Sequence, residues 1–296
     1  MFLDNCFMDV SIQDDQVDGP HGYIPVRRYE PVRTNGLTTA PTVVWLHGGG
    51  FFKGGLNQPE SDSVALALAA RGYPVVTVDY RLAPLPVVGR LSVRQRKLSN
   101  RYPVPVDDVL AVVQHVSDRC GGAIVLGGAS AGACLAAGTA LRYQHDGGRL
   151  AGVLLAYGFF HFTHPRSDKK HPRPRGHRRI THSRWGLNAM NRNYVGRISG
   201  PTDHYAFPGG GALQGFPQAL LINAERDSMR VSAERFATEL SAAGSQVERH
   251  LVTGSRHAFL NHPNGEHFSA GVELMAAWLE TLQLKPLNEP DRTSVR

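Results

Sequence analysis

The feature that most constrains this chain is a repeated alternation. Short β-branched apolar runs are each followed by a stretch with helical spacing. Thr42–His47 (TVVWLH), Pro74–Tyr80 (PVVTVDY), Ala123–Gly127 (AIVLG), Ala151–Tyr157 and Gln218–Ala224 are continuous apolar runs of five to seven residues. Runs this short and this apolar predict strands buried on both faces. Between and after them Ser61–Ala70, Pro105–Ser117, Ala131–Tyr143, Met229–Ala243 and Phe268–Leu282 read as helices. In Pro105–Ser117, for example, Val109, Val112, Val113 and Val116 fall at i, i+3, i+4 and i+7, one helical face. Gln246–Val252 reads as a last strand, and Tyr23–Tyr29 as one inside a polar, turn-rich stretch, residues 1–40. The pattern predicts an α/β fold, a mostly parallel central sheet with helices on both faces. A single domain over 296 residues accommodates it.

One stretch breaks the rhythm. Residues 160–215 are rich in His, Arg, Pro and Gly and show no clear strand. That is too long for an ordinary loop, so it reads as an insertion forming a lid, a cap or a disordered segment. The chain's basicity also concentrates there. Of the net +7, His161–Arg184 carries +7 and Arg90–Arg101 carries +5, so the rest of the chain carries −5. The basicity therefore belongs to two short segments on a mildly acidic scaffold. No stacking aromatics interleave with the cations, so no nucleic-acid partner is expected. The five histidines of the insertion (His161, His164, His171, His177, His182) lack regular ligand spacing, and no metal or other cofactor is expected. Apolar runs such as Val64–Ala70 fall far short of the roughly 20 residues a membrane span needs. Three scattered cysteines (Cys6, Cys120, Cys134) form no disulfide framework, and the acidic start of the chain does not read as a signal peptide. A cytoplasmic protein is expected.

The chemistry is concentrated at Gly128-Ala129-Ser130-Ala131-Gly132, between a predicted strand and a predicted helix. A serine on such a tight turn projects its hydroxyl from the top of the sheet, and the flanking glycines relieve the crowding. A second motif, His47-Gly48-Gly49-Gly50, follows the strand Thr42–Leu46. Acyl transfer through a serine forms a tetrahedral oxyanion, which needs preorganised N–H donors. The expected donors are the amides of Gly48, Gly49 and Ala131.

A serine hydroxyl also needs a base, and the base an orienting acid. Both are expected downstream, in the order Ser…Asp/Glu…His. Asp227 and Glu225 both lie near the end of the strand Gln218–Ala224. Asp227 is preferred because a loop carboxylate can turn back toward the site, and Glu225 is the rival. His257 follows the last predicted strand, whereas His250, His262 and His267 have strand or surface positions.

These motifs together resemble the hormone-sensitive-lipase-like family of α/β-hydrolase esterases. The resemblance runs from about Pro41 to Pro263. It rests on His47–Gly50 with Phe51, Asp79–Pro84 (DYRLAP), Tyr102-Pro103 with Asp107-Asp108, Gly128–Gly132, Asp227 with Ser228-Met229-Arg230, and His257 with Phe259 and Leu260. It implies an α/β-hydrolase fold, a Ser130–His257–Asp227 triad, an oxyanion hole from Gly48, Gly49 and Ala131, and a cap from residues 1–40 and 160–215. Ala129 stands where family members usually have Asp, Ala133 where Gly is common, and Ser228 where a proline is usual. Leu85–Arg101 is longer than the common version. Some relatives are non-catalytic receptors that have lost the histidine, and His257 is present here.

The expected activity is a serine carboxylesterase acting on small-molecule acyl esters. The alternatives are an amidase or other acyl hydrolase on the same triad, and a non-catalytic binding protein on a hydrolase scaffold. Homo-oligomerisation is left open.

Overall fold

A computed structural model describes residues 9–32, 40–85, 100–120, 122–166, 182–196 and 203–283. Eight strands form one sheet: β1 (Val10–Val17), β2 (Ile24–Pro31), β3 (Thr42–Leu46), β4 (Val75–Val78), β5 (Ile124–Ala129), β6 (Gly152–Ala156), β7 (Ala219–Arg226) and β8 (Val247–Arg256). The helices are α1 (Pro59–Ala69), α2 (Val104–Cys120), α3 (Ala131–His145), α4 (Arg184–Val195), α5 (Arg230–Ala242) and α6 (Glu266–Gln283). The strand order is β1-β2-β4-β3-β5-β6-β7-β8. β1, β2 and β4 pair antiparallel, and every pairing from β4 to β8 is parallel.

Strand alternation splits the core in two. Val44 and Leu46 of β3 face a cluster with Val109 of α2, Ala133 of α3 and Phe236 of α5. Val43 and Trp45 face a second cluster with Val64 and Leu68 of α1 and Met275 and Leu279 of α6. Both faces of the sheet are covered, which is why the inner strands are continuously apolar.

Two expectations change. β1 (VSIQDDQV) lies in the stretch read as polar and turn-rich, and it pairs along all of β2. Residues 10–31, part of the 1–40 stretch expected to contribute a cap, thus extend the sheet at its outer edge. Backbone pairing wins there over an exposed, charged sequence: Arg27 bonds Asp14, and Arg28 bonds Asp15. Within 160–215 the sequence showed no strand, and the described residues hold one helix, α4. Ser183 caps it, its hydroxyl accepting from the Gly186 amide at 3.0 Å. Most of both basic segments lies outside the described residues, as do His171 and His177.

Candidate active site

β5 ends at Ala129, and Ser130 follows with φ 54° and ψ −114° as the chain turns into α3. Such a backbone is costly for a non-glycine residue and persists only where its surroundings hold it. The Ser130 amide donates to the Ala156 carbonyl of β6 at 2.9 Å, anchoring the turn to the sheet. Gly132 is required by close approach. A Cβ there would stand 2.4 Å from the Leu46 and His47 carbonyl oxygens.

The serine meets the two residues expected downstream. Ser130 Oγ lies 2.9 Å from His257 Nε2, and His257 Nδ1 lies 2.7 Å from Asp227 Oδ2. An ionised carboxylate only accepts, so the Nδ1 proton points to Asp227 and the Nε2 lone pair faces the serine hydroxyl. Asp227 Oδ1 also accepts from the Met229 amide at 2.9 Å. Burial pushes the Asp227 carboxyl up, but the His257 charge, its hydrogen bond and the Met229 amide outweigh burial and hold it below the usual carboxylate range. Ser130, His257 and Asp227 are all buried.

The rival acid is placed elsewhere. Glu225 Oε2 accepts from the Gly254 amide at 2.7 Å, tying β7 to β8. His250 pairs with Glu248, and His267 approaches Glu266. His161 bonds Ser232 and Glu239, while His164 bonds the Ser228 carbonyl. Among the described residues no group of three or more His, Cys, Asp or Glu is placed to hold a metal.

The amides of the glycine loop beside the serine differ in their partners. The Gly48 amide donates to Glu60 Oε1 at 2.9 Å. An amide has one hydrogen, so Gly48, expected as an oxyanion donor, is already committed. Its neighbours differ. Gly49 and Gly50 take φ 121° and 65°, and among the described residues their amides donate to nothing. Gly49 must be glycine, because a Cβ would fall 1.9 Å from the Lys53 carbonyl oxygen. Ala131 is the first residue of α3, and its amide has no partner within the helix. The loop adjoins the serine: a Cβ on Gly48 would sit 3.0 Å from Ser130 Cβ.

Three residues outside the motifs shape the site. Glu60 is buried, and Tyr157 donates to its Oε2 at 2.7 Å. His182, from the insertion, sets its ring edge-on to His257 with centroids 5.0 Å apart. None of the three carries a sequence signal. Their roles arise from contacts between distant segments. The aromatics Phe51, Phe159 and Phe160 are core residues, while Trp185 is exposed.

A nucleophile elbow over a mostly parallel sheet, with a histidine and a carboxylate on the last two strand ends, defines an α/β hydrolase. The chain matches the alpha/beta hydrolase fold family over residues 43–261 and belongs to it. It is 31% identical to the carboxylesterase NlhH of Mycobacterium tuberculosis, over 80% of this chain and 72% of that protein. An esterase from Pyrobaculum calidifontis superposes with a TM-score of 0.77 at 26% identity, covering 95% of this chain and 88% of its own. Brefeldin A esterase, a bacterial homologue of human hormone sensitive lipase, shares the fold with a TM-score of 0.77 at 22% identity, over 96% and 80% of the two chains. No helix among the described residues is long and apolar enough to cross a membrane.

Proposed function

We propose that this protein is a serine carboxylesterase that hydrolyses small acyl esters through Ser130, His257 and Asp227. The observation that carries the reading is the continuous hydrogen-bonded path from Ser130 Oγ through His257 to Asp227, at 2.9 and 2.7 Å. That path supports turnover over a purely binding role. The relatives' names, esterase and carboxylesterase, support esters over amides.

In this mechanism Ser130 Oγ attacks the ester carbonyl as its proton passes to His257 Nε2. Asp227 holds the imidazole tautomer and stabilises the imidazolium. The carbonyl electron pair moves onto oxygen, and the amides of Gly49, Gly50 and Ala131 bind that charge. When the tetrahedral intermediate collapses, the C–O bond breaks and the alcohol leaves with the proton from His257. Water, deprotonated by the same base, then attacks the acyl-enzyme, releasing the acid and restoring Ser130.

The proposal treats residues 1–296 as one domain with residues 160–215 as its cap. Two contacts of α4 support this: Tyr194 stacks on Phe51, and Met190 Sδ lies 2.6 Å from where a Gly50 Cβ would be. A cytoplasmic location belongs to the same reading and is supported by the scattered cysteines.

The test is Ser130→Ala assayed on p-nitrophenyl acyl esters. Turnover should fall to background in folded protein, and wild-type turnover would remove the assignment.

A further inference from the structure

Behind the triad lies a buried acid that the mechanism above does not use. Glu60 is the second residue of α1 and is 1% exposed. Its carboxylate accepts three donors. The Gly48 amide and the Gln58 side chain reach Oε1, and the Tyr157 hydroxyl reaches Oε2. Its backbone is held as well. The Trp45 indole donates to the Glu60 carbonyl at 2.7 Å, and the Glu60 amide points at Asn261 Oδ1 at 3.4 Å. Asn261 lies four residues beyond His257.

Glu60 thus bears on two parts of the proposed chemistry, one directly and one through Tyr157. One is the glycine loop, where occupying the Gly48 amide orients the peptides that follow. The other is the histidine. Tyr157 stands between Glu60 and His257, with its hydroxyl on the carboxylate and its ring edge-on to the imidazole at 5.1 Å. Tyr157 also takes a hydrogen bond from the Leu260 backbone, in the histidine loop. Three donors around one carboxylate are what an ionised side chain takes. Burial pushes the Glu60 carboxyl above the usual carboxylate range, with Tyr157, the His257 charge and the Gly48 amide opposing it.

We propose that Glu60 is the positioning residue of the oxyanion loop, bonded directly to Gly48 and braced toward His257 through Tyr157. The proposal rests on the triad reading given above. The carboxylate fixes Gly48 so that the Gly49 and Gly50 amides present their hydrogens to the oxyanion.

Two substitutions test this. Glu60→Leu removes the acceptor for Gly48. Its kcat should fall about 100-fold with little change in KM, because the loop contributes in the transition state rather than in ground-state binding. Glu60→Gln keeps an acceptor for Gly48 while giving up the charge and the acceptor that faces Tyr157. It should recover most of the lost kcat. Folding of each variant is followed by thermal melt, and Glu60→Ala takes the place of Glu60→Leu if that variant does not fold. Wild-type kcat in the variant without the acceptor, or no recovery in folded Glu60→Gln, overturns the proposal. Ser130→Ala keeps the two readings apart. Turnover surviving in that variant defeats the triad assignment itself, whereas its loss beside unaffected Glu60 variants defeats only the role of Glu60.

Discussion

The ring of Phe51, immediately after the glycine loop, stacks on Tyr194 of α4 with centroids 3.9 Å apart and planes 9° from parallel. Phe51 has φ 71°, a conformation that costs a bulky residue on the order of 1–3 kcal/mol. The stack therefore helps hold a strained loop, and it links α4 in the insertion to the glycine loop beside Ser130.

Tyr194→Ala should lower stability by about 3–5 kcal/mol and reduce kcat as the loop relaxes. Tyr194→Phe should behave oppositely. The Tyr194 hydroxyl is buried with no hydrogen-bond partner among the described residues, so its removal should be neutral or stabilising by about 1 kcal/mol. Urea unfolding of the two variants measures both effects. A strongly destabilised Tyr194→Phe would reveal a partner for that hydroxyl.

Asp227→Asn should leave the fold intact and lower kcat about 10⁴-fold, since an amide favours the wrong imidazole tautomer. Glu225→Gln should stay close to wild type in rate, because Glu225 bonds the Gly254 amide of β8 instead of His257. Steady-state kinetics on one ester decides between the two acids. A reversed ranking would return the orienting role to Glu225.

Gly49→Ala should lower kcat by at least about 100-fold, because a Cβ would strike the Lys53 carbonyl and displace the loop. The same ester assay reads it, with circular dichroism as the check on folding. Retained activity would show that this loop does not carry the oxyanion.

His47 controls part of the acid stability. It is buried and stacked on Tyr80, its Nδ1–H donates to the Gly48 carbonyl, and burial pushes it down to about 4. A folded-state value below the unfolded one means that the native state favours the neutral ring. The associated stability is complete above pH 6.5 and is lost as pH falls through about 4, a change of about 3 kcal/mol. Unfolding free energies measured between pH 7 and pH 4 should show this fall. His47→Phe, which keeps a ring on Tyr80, should flatten it. An equally steep curve in that variant would assign the loss to other groups.

The inner sheet and the candidates Ser130, Asp227 and His257, which the fold brings into one hydrogen-bonded path, were legible in the residue pattern. β3, β5, β6 and β7 are buried on both faces, so their apolar runs stand out against any neighbour. β1 was not legible. It sits at the sheet edge with Ile12 half exposed and its acids paired to Arg27 and Arg28 on β2, so no apolar alternation marks it. α4 was hidden in the same way, inside a stretch dominated by His, Arg and Pro. Glu60 reads from sequence as an ordinary acid in the first turn of a helix. Only the approach of Gly48 and Tyr157, 12 residues before and 97 after it, turns it into a buried hub.

The sequence by itself determined the α/β class, the serine turn and the candidates Ser130, His257 and the two acids Asp227 and Glu225. Each of these depends on local spacing: burial sets strand periodicity, and tight turns demand glycine. The tertiary structure alone decided which acid faces His257 and which amide of the glycine loop is bonded to Glu60. It also decided that β1 completes the sheet. These depend on which hydrogen goes to which acceptor across segments far apart in the chain. One amide can serve only one partner well, so that competition is resolved only once the segments meet.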